Sequence, residues 1–173
     1  MTEIPDGIVL RRHLETAGLS SVWWRRGFLA LLAALLIAAL ANVFGQRPGG
    51  ARASSPVATL SVYAPSHLRG GLLWEARFHI TAHRDIKDAT LVLDPGWIEG
   101  MQVNSLEPSP IGEASRDGKL AFDLGHIAAG HSFVFFALFQ VNATNVGRRS
   151  QNVRLDDGET RLLTIHRTVT IFP

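Results

Sequence analysis

The side chains that could do chemistry are seven histidines, a carboxylate run at Asp156-Asp157-Gly158-Glu159 and a Ser132-His131-Asp123 neighbourhood. Four residues apart on a strand, His79 and His83 would point the same way about 13 Å apart, too far to share one ion at roughly 2.1 Å per bond. His126 and His131 bracket a Gly125–Gly130 turn, with no carboxylate or third histidine fixed beside them by sequence. His166 falls on the polar side of the last strand. The Asp156-Asp157-Gly158-Glu159 run offers oxygens that a hard cation such as calcium accepts, but Asp-Gly is first of all a hairpin turn. Ser132 next to His131 is adjacency in sequence and does not define triad geometry. Nucleophile elbows and HExxH helices are absent, and Asn142-Ala143-Thr144 matches a glycosylation sequon by coincidence in a chain of bacterial style. The expectation is a protein with no catalytic residue, no cofactor and no bound metal.

Composition narrows the field further. The 173 residues contain no cysteine, which excludes disulfide frameworks, CxxC redox chemistry, type 1 copper, iron–sulfur clusters and c-type haem, since each needs a thiolate. A pI near 9.7 suggests nucleic acid until the charge is divided by region. Residues 1–53 carry six Arg against three acids, and residues 54–173 carry eleven Lys and Arg against twelve acids. A nucleic-acid binder concentrates its basic residues on the folded domain, whereas this excess flanks an apolar run. No nucleic-acid partner and no small-molecule substrate is expected.

That run, Phe28 to Phe44, is seventeen residues with no charge and one polar side chain, Asn42. As a helix it covers roughly 26 Å, close to the ~30 Å hydrocarbon core. Trp23, Trp24, Arg25 and Arg26 precede it as an interfacial anchor. Arg11, Arg12, Arg25 and Arg26 before the run outnumber Arg47 and Arg52 after it, so the positive-inside rule puts the N-terminus in the cytoplasm. An exported alternative exists: Trp24-Arg25-Arg26-Gly27-Phe28-Leu29 resembles a twin-arginine signal, and Ala51-Arg52-Ala53 resembles a cleavage site. The run exceeds the usual h-region of about 7–15 residues, which favours retention.

The expected organisation is a cytoplasmic segment over 1–24, a transmembrane helix over 25–45, a Gly/Pro/Ser linker over 46–56 and an extracytoplasmic β-domain over 57–173. Within the first segment, residues 8–24 fit either a frayed tail or an interfacial helix with Leu14, Ala17 and Val22 on its apolar side. Beyond Pro56 short alternating segments are separated by Gly, Pro, Asn and Asp. Leu72, Trp74, Ala76, Phe78, Ile80 and Ala82 form the expected inward row of one strand, alternating with Glu75, Arg77, His79, Thr81 and His83. Comparable segments are 58–63, 87–93, 100–104, 119–124, 131–142, 150–155 and 161–172, giving about seven or eight strands of an all-β Ig-like sandwich. Arg167 interrupts the inward row of the last segment, for which a β-bulge is the expected remedy. In 131–142 both faces are apolar: Phe133, Phe135, Ala137, Phe139 and Val141 on one, Val134, Phe136 and Leu138 on the other. The second set is either covered by the chain itself or a docking patch.

The stretches Asp88-Ala89-Thr90-Leu91-Val92-Leu93-Asp94-Pro95-Gly96 and Phe122-Asp123-Leu124-Gly125-His126-Ile127-Ala128-Ala129-Gly130-His131-Ser132, followed by Phe133–Val141, resemble bacterial surface Ig-like domains of the CARDB and conserved-repeat kind. The similarity spans residues 72–142 and implies a sandwich used for adhesion or assembly. The whole chain is also similar to bacterial single-pass membrane proteins from which no activity carries over. The resulting expectation is a single-pass accessory or scaffold subunit of the bacterial cytoplasmic membrane, its external domain packing on other subunits of a larger complex, a respiratory or photosynthetic one among the hosts. The alternatives are an envelope module for carbohydrate or peptide, using Tyr63, Trp97 and Trp74, and a secreted twin-arginine substrate.

Overall fold

A computed structural model of the chain describes residues 19–41, 43, 46 and 49–173. Two compact units part between Val43 and Phe44. The first contains helix α1, Leu19–Leu40. Leu, Ala and Ile populate every side of it, and its described side chains are exposed apart from half-buried Ala38. An apolar surface all round is the pattern of a helix whose environment is itself apolar. The segment Val22–Leu40, with mean hydropathy 1.6, is long and apolar enough to cross a membrane. The helix starts six residues upstream of 25, so Trp23, Trp24, Arg25 and Arg26 lie on helical turns, with the Arg26 guanidinium 5.9 Å from the Trp23 ring centre. Most of the 8–24 segment, with Arg11 and Arg12, lies outside the described residues, as do Asn42, Phe44 and Arg47.

The second unit is an all-β, Ig-like sandwich preceded in sequence by that one apolar helix. Its described strands are β1 Gly50–Ser54, β2 Ala58–Tyr63, β3 His67–Arg69, β4 Leu73–Ala82, β5 Ile86–Leu93, β6 Met101–Glu107, β7 Gly112–Arg116, β8 Lys119–Ile127, β9 Ser132–Val141, β10 Gly147–Ser150, β11 Val153–Asp157, β12 Thr160–Ile165 and β13 Thr168–Phe172. One sheet runs β1-β2-β4-β9-β6, a second β12-β11-β5-β8-β7, and a small third β10-β13-β3. All pairings are antiparallel except β13 with β3. Alternation decides what turns inward: Trp74, Phe78 and Ile80 of β4, Phe135 and Phe139 of β9, Leu91 and Leu93 of β5, and Phe122 of β8 share one core between the sheets.

The core is organised round Trp97. It ends a 3-10 turn, Pro95–Trp97, that follows β5, and it is fully buried. Its ring lies 5.7 Å from Trp74, 5.3 Å from Phe78 and 5.7 Å from Phe139, and its Nε1 donates to the Asn152 carbonyl at 3.2 Å. Pro95 presets the turn. Gly96 is required by proximity, because a Cβ there would collide with the Ser150 carbonyl oxygen. Trp74 is also in the core and stacks on Phe139 at 4.7 Å.

Two segments read as single strands are each two. The 150–155 segment breaks at Gln151-Asn152 into β10 and β11, and the 161–172 segment breaks at His166-Arg167 into β12 and β13. The breaks face one another: Gln151 N donates to Arg167 O at 3.0 Å, and Arg167 N donates to Asn152 Oδ1 at 3.0 Å. Each segment switches sheets there, β10 to β11 from the small third sheet to the large second one and β12 to β13 the other way. No bulge resolves Arg167. Its Nη2 donates to the carbonyls of Ala64 and Pro65 at 3.1 and 2.9 Å, and its guanidinium lies 5.0 Å from the Trp97 ring centre. Burial lowers its pKa to about 10.

The linker read over 46–56 contains β1 at residues 50–54. Its alternation is short, with Ala51 and Ala53 packing against the core, and the Ser54 and Thr59 hydroxyls bond at 2.7 Å. Strands β3 and β7 also lie where the sequence pattern shows no alternating run.

Candidate interaction face

The outward side of the first sheet is built by register. Phe136 pairs with Arg77 of β4 and Glu107 of β6, Leu138 with Glu75 and Ser105, and Val134 with His79. The three apolar side chains therefore form one row along a central strand, fenced by charged and polar neighbours on both sides. Phe136 keeps 36% of its surface exposed, while Val134 and Leu138 are half-buried. A concavity of about 320 Å³ is lined by Glu75, Ser105, Glu107, Phe136 and Leu138. A neighbouring one of about 490 Å³ is lined by Gln46, Gly49, Tyr63, Ala64, Pro65, Glu75 and Arg77. Glu75 belongs to both, so the two form one surface. Arg77 sits over the Tyr63 ring at 4.5 Å, which holds an exposed aromatic flat against β2 and β4.

Chemically this face offers apolar contact, an aromatic platform and two carboxylates, Glu75 and Glu107. It does not assemble a nucleophile with a base. The histidines disperse: His83 Nε2 shares a hydrogen bond with Thr59 Oγ1 at 2.8 Å, His131 Nδ1 approaches the Ala129 carbonyl at 3.3 Å, and His126 and His166 are exposed. No group of three or more His, Asp or Glu able to hold a metal occurs among the described residues.

The Asp156-Asp157-Gly158-Glu159 run is a hairpin turn between β11 and β12 with Gly158 at φ +58°. Asp157 Oδ1 accepts from the amides of Lys87 and Asp88 at 3.0 and 2.9 Å, and Arg154 Nε donates to Asp156 Oδ2 at 2.9 Å. Burial raises the Asp156 carboxyl above its ordinary value, with Arg154 opposing that shift. Of the aromatics expected to serve a carbohydrate or peptide site, Trp74 and Trp97 are core residues, which leaves Tyr63, 46% exposed. The core has its own polar remainder: Trp74 Nε1, both amide atoms of fully buried Gln151 and Arg167 Nη1 find no hydrogen-bond partner among the described residues.

No known family model matches the chain, and no curated protein matches it in sequence. Solved structures of similar fold include CaCohA2 from Clostridium acetobutylicum, with TM-score 0.45 and 12% identity over 69% of this chain and 93% of that one. A non-cellulosomal cohesin from the hyperthermophilic archaeon Archaeoglobus fulgidus has TM-score 0.39 and 17% identity, covering 64% and 88%. The CARDB domain of a Pyrococcus furiosus protein, solved in complex with di-metal ions, has TM-score 0.38 and 13% identity, covering 69% and 98%.

Proposed function

We propose that the chain is a non-catalytic, membrane-anchored interaction subunit. In this reading α1 spans the bacterial cytoplasmic membrane, Trp23, Trp24, Arg25 and Arg26 anchor its cytoplasmic end, and the sandwich stands on the outer face as an accessory or scaffold element of a larger membrane complex. The observation that carries the reading is the Val134, Phe136 and Leu138 row, apolar and partly exposed on a central strand where a finished sandwich presents polar residues to water. The orientation rests on the arginine asymmetry across the apolar run. The domain bounds that follow are a cytoplasmic 1–24, a span over 25–45 and a sandwich after the tether.

The test is affinity capture of the full chain from native membranes in mild detergent, run beside a Phe136→Asp variant. A defined set of membrane proteins recovered with the wild type and lost with the variant supports docking through this face. A lone monomer in both samples contradicts it. Intact mass of the wild type decides between retention and the secreted reading, which requires a mature chain starting near Ser54.

A further inference from the structure

Three loops at one end of the sandwich are laced together, and each lifts apolar side chains into solvent. The 142–146 loop is tied to the 95–100 turn through Asn145, whose Nδ2 donates to the carbonyls of Glu99 and Gly100 at 3.2 and 3.0 Å. The turn before β4 joins them: Gly71 N donates to Val141 O at 2.9 Å, and Val141 N donates to Leu72 O at 3.0 Å. Leu72, Ile98 and Val146 on these loops and Leu73, the first residue of β4, are 39%, 37%, 45% and 53% exposed. Four large apolar side chains held out by a hydrogen-bonded framework form a rigid surface. Arg69 and Arg148 are exposed at the same end, and Arg149 is half-buried beside Glu99 at 4.0 Å.

This is also the end that the tether enters. Gln46 Nε2 donates to the Leu73 carbonyl at 3.3 Å, and Ala64 N donates to Gly49 O at 3.0 Å. Five residues separate Gln46 from Leu40, the last residue of α1, and the six Cα–Cα steps between them reach at most about 22 Å. With α1 spanning a membrane, the length of the tether keeps this end within its reach of the bilayer surface. Leucine, isoleucine and valine with exposed arginines beside them is a composition that inserts shallowly among headgroups while the cations meet lipid phosphates.

We propose that the loop end formed by Leu72, Leu73, Ile98 and Val146, with Arg69 and Arg148 beside it, seats on the outer leaflet of the chain's own membrane and binds anionic lipid headgroups. The partner is the bilayer surface, and the seating holds the β9 face side-on to the membrane. The inference rests on the spanning role of α1, so its test must report on both.

The absence of native cysteine makes site-specific labelling direct. Single variants Leu73→Cys, Ile98→Cys and Val146→Cys in the full chain, each carrying an environment-sensitive fluorophore, are reconstituted in vesicles of equal phosphatidylglycerol and phosphatidylcholine. Nitroxide-headgroup lipids act as quencher. Ile111→Cys, on an exposed residue of a different loop, is the aqueous control, and Leu31→Cys within α1, read with nitroxide on the acyl chains, reports the span. The expected result is blue-shifted, quenched emission at 73, 98 and 146, with position 111 unchanged and position 31 quenched. Positions 73, 98 and 146 behaving like 111 while 31 is quenched would overturn the seating and leave the span standing. An unquenched position 31 would overturn both.

Discussion

The two outward faces of the sandwich share an architecture and differ in how they are completed. On the second sheet, Thr90, Val92 and Ala121 occupy outward positions yet are 3%, 1% and 1% exposed. Around them lie two ion pairs closed within the chain: Arg154 with Asp156 at 2.9 Å and Lys119 with Asp94 at 2.8 Å, where Ser150 Oγ also donates. On the first sheet, the corresponding row on β9 leaves Phe136 at 36% exposure beside Glu75, Arg77 and Glu107. One face is satisfied internally; the other has apolar surface still to bury. An apolar residue outside is ordinary by itself. A row of three on a central strand, two of which line a concavity, is the kind of surface that marks an interaction site, and the proposed partner would complete it.

The same chemical change should therefore have opposite consequences on the two faces. Ala121→Asp places a carboxylate between Val92 and Ala114 at a position 1% exposed, where its desolvation costs about 3 kcal/mol. Circular dichroism melting should show the sandwich unfolded or its Tm sharply reduced. Phe136→Asp should leave the melt nearly unchanged, because its side chain points out of the sheet, and should weaken partner association by more than tenfold, since a carboxylate carried into a closed interface is penalised well beyond the ~1.4 kcal/mol that tenfold represents. If Phe136→Asp unfolds the protein as Ala121→Asp does, the two faces are alike and the contrast disappears.

A milder pair sharpens the comparison. About a third of Phe136 remains to be buried, worth roughly 0.5–1 kcal/mol out of the ~1.5–3 kcal/mol for a whole side chain. Phe136→Ala should thus weaken capture only about two- to fivefold, measured by titrating the variant against wild type in membrane extracts.

The smallest effects are in the pH dependence of the second face. Burial acts to raise the Asp94 carboxyl, but hydrogen bonds and charge from Lys119, with a further bond from Ser150, outweigh it and hold the group below 3.8. Its stabilisation is present above pH ~4 and is lost as pH falls through the folded value. Asp156 has the opposite sign: burial raises it above 3.8, so its ionised form costs stability, and the cost is relieved as pH falls through its folded value. Melting curves from neutral pH downward should show Asp94→Asn lowering Tm at pH 7 and flattening the acid limb, with Asp156→Asn no less stable than wild type at pH 7.

Much of this was legible in the sequence, and the exceptions have common causes. Strands β2, β4 and β9 follow two-residue alternation in long apolar runs. The apolar helix and the second face of β9 were read from the same pattern. What escaped were short edge strands such as β1 and β7, whose Ala, Ser and Gly carry little apolar signal, and the sheet switches at Gln151-Asn152 and His166-Arg167. Alternation runs straight through those breaks. Only the Arg167 side chain marked the second one, and the carbonyls that satisfy it, Ala64 and Pro65, lie about a hundred residues away. Trp97 was legible as an aromatic but not as the centre of the core, because its burial depends on a turn folding back over β4 and β9.

The central claim is that the β9 face meets a protein partner and the opposite face does not. Photo-crosslinking in native membranes tests it directly, with p-benzoylphenylalanine replacing Phe136 in one full-length variant and Arg161, exposed on the opposite sheet, in another. A discrete protein adduct from position 136 and none from position 161 is the predicted result. Adducts from neither position, or equally from both, would contradict it.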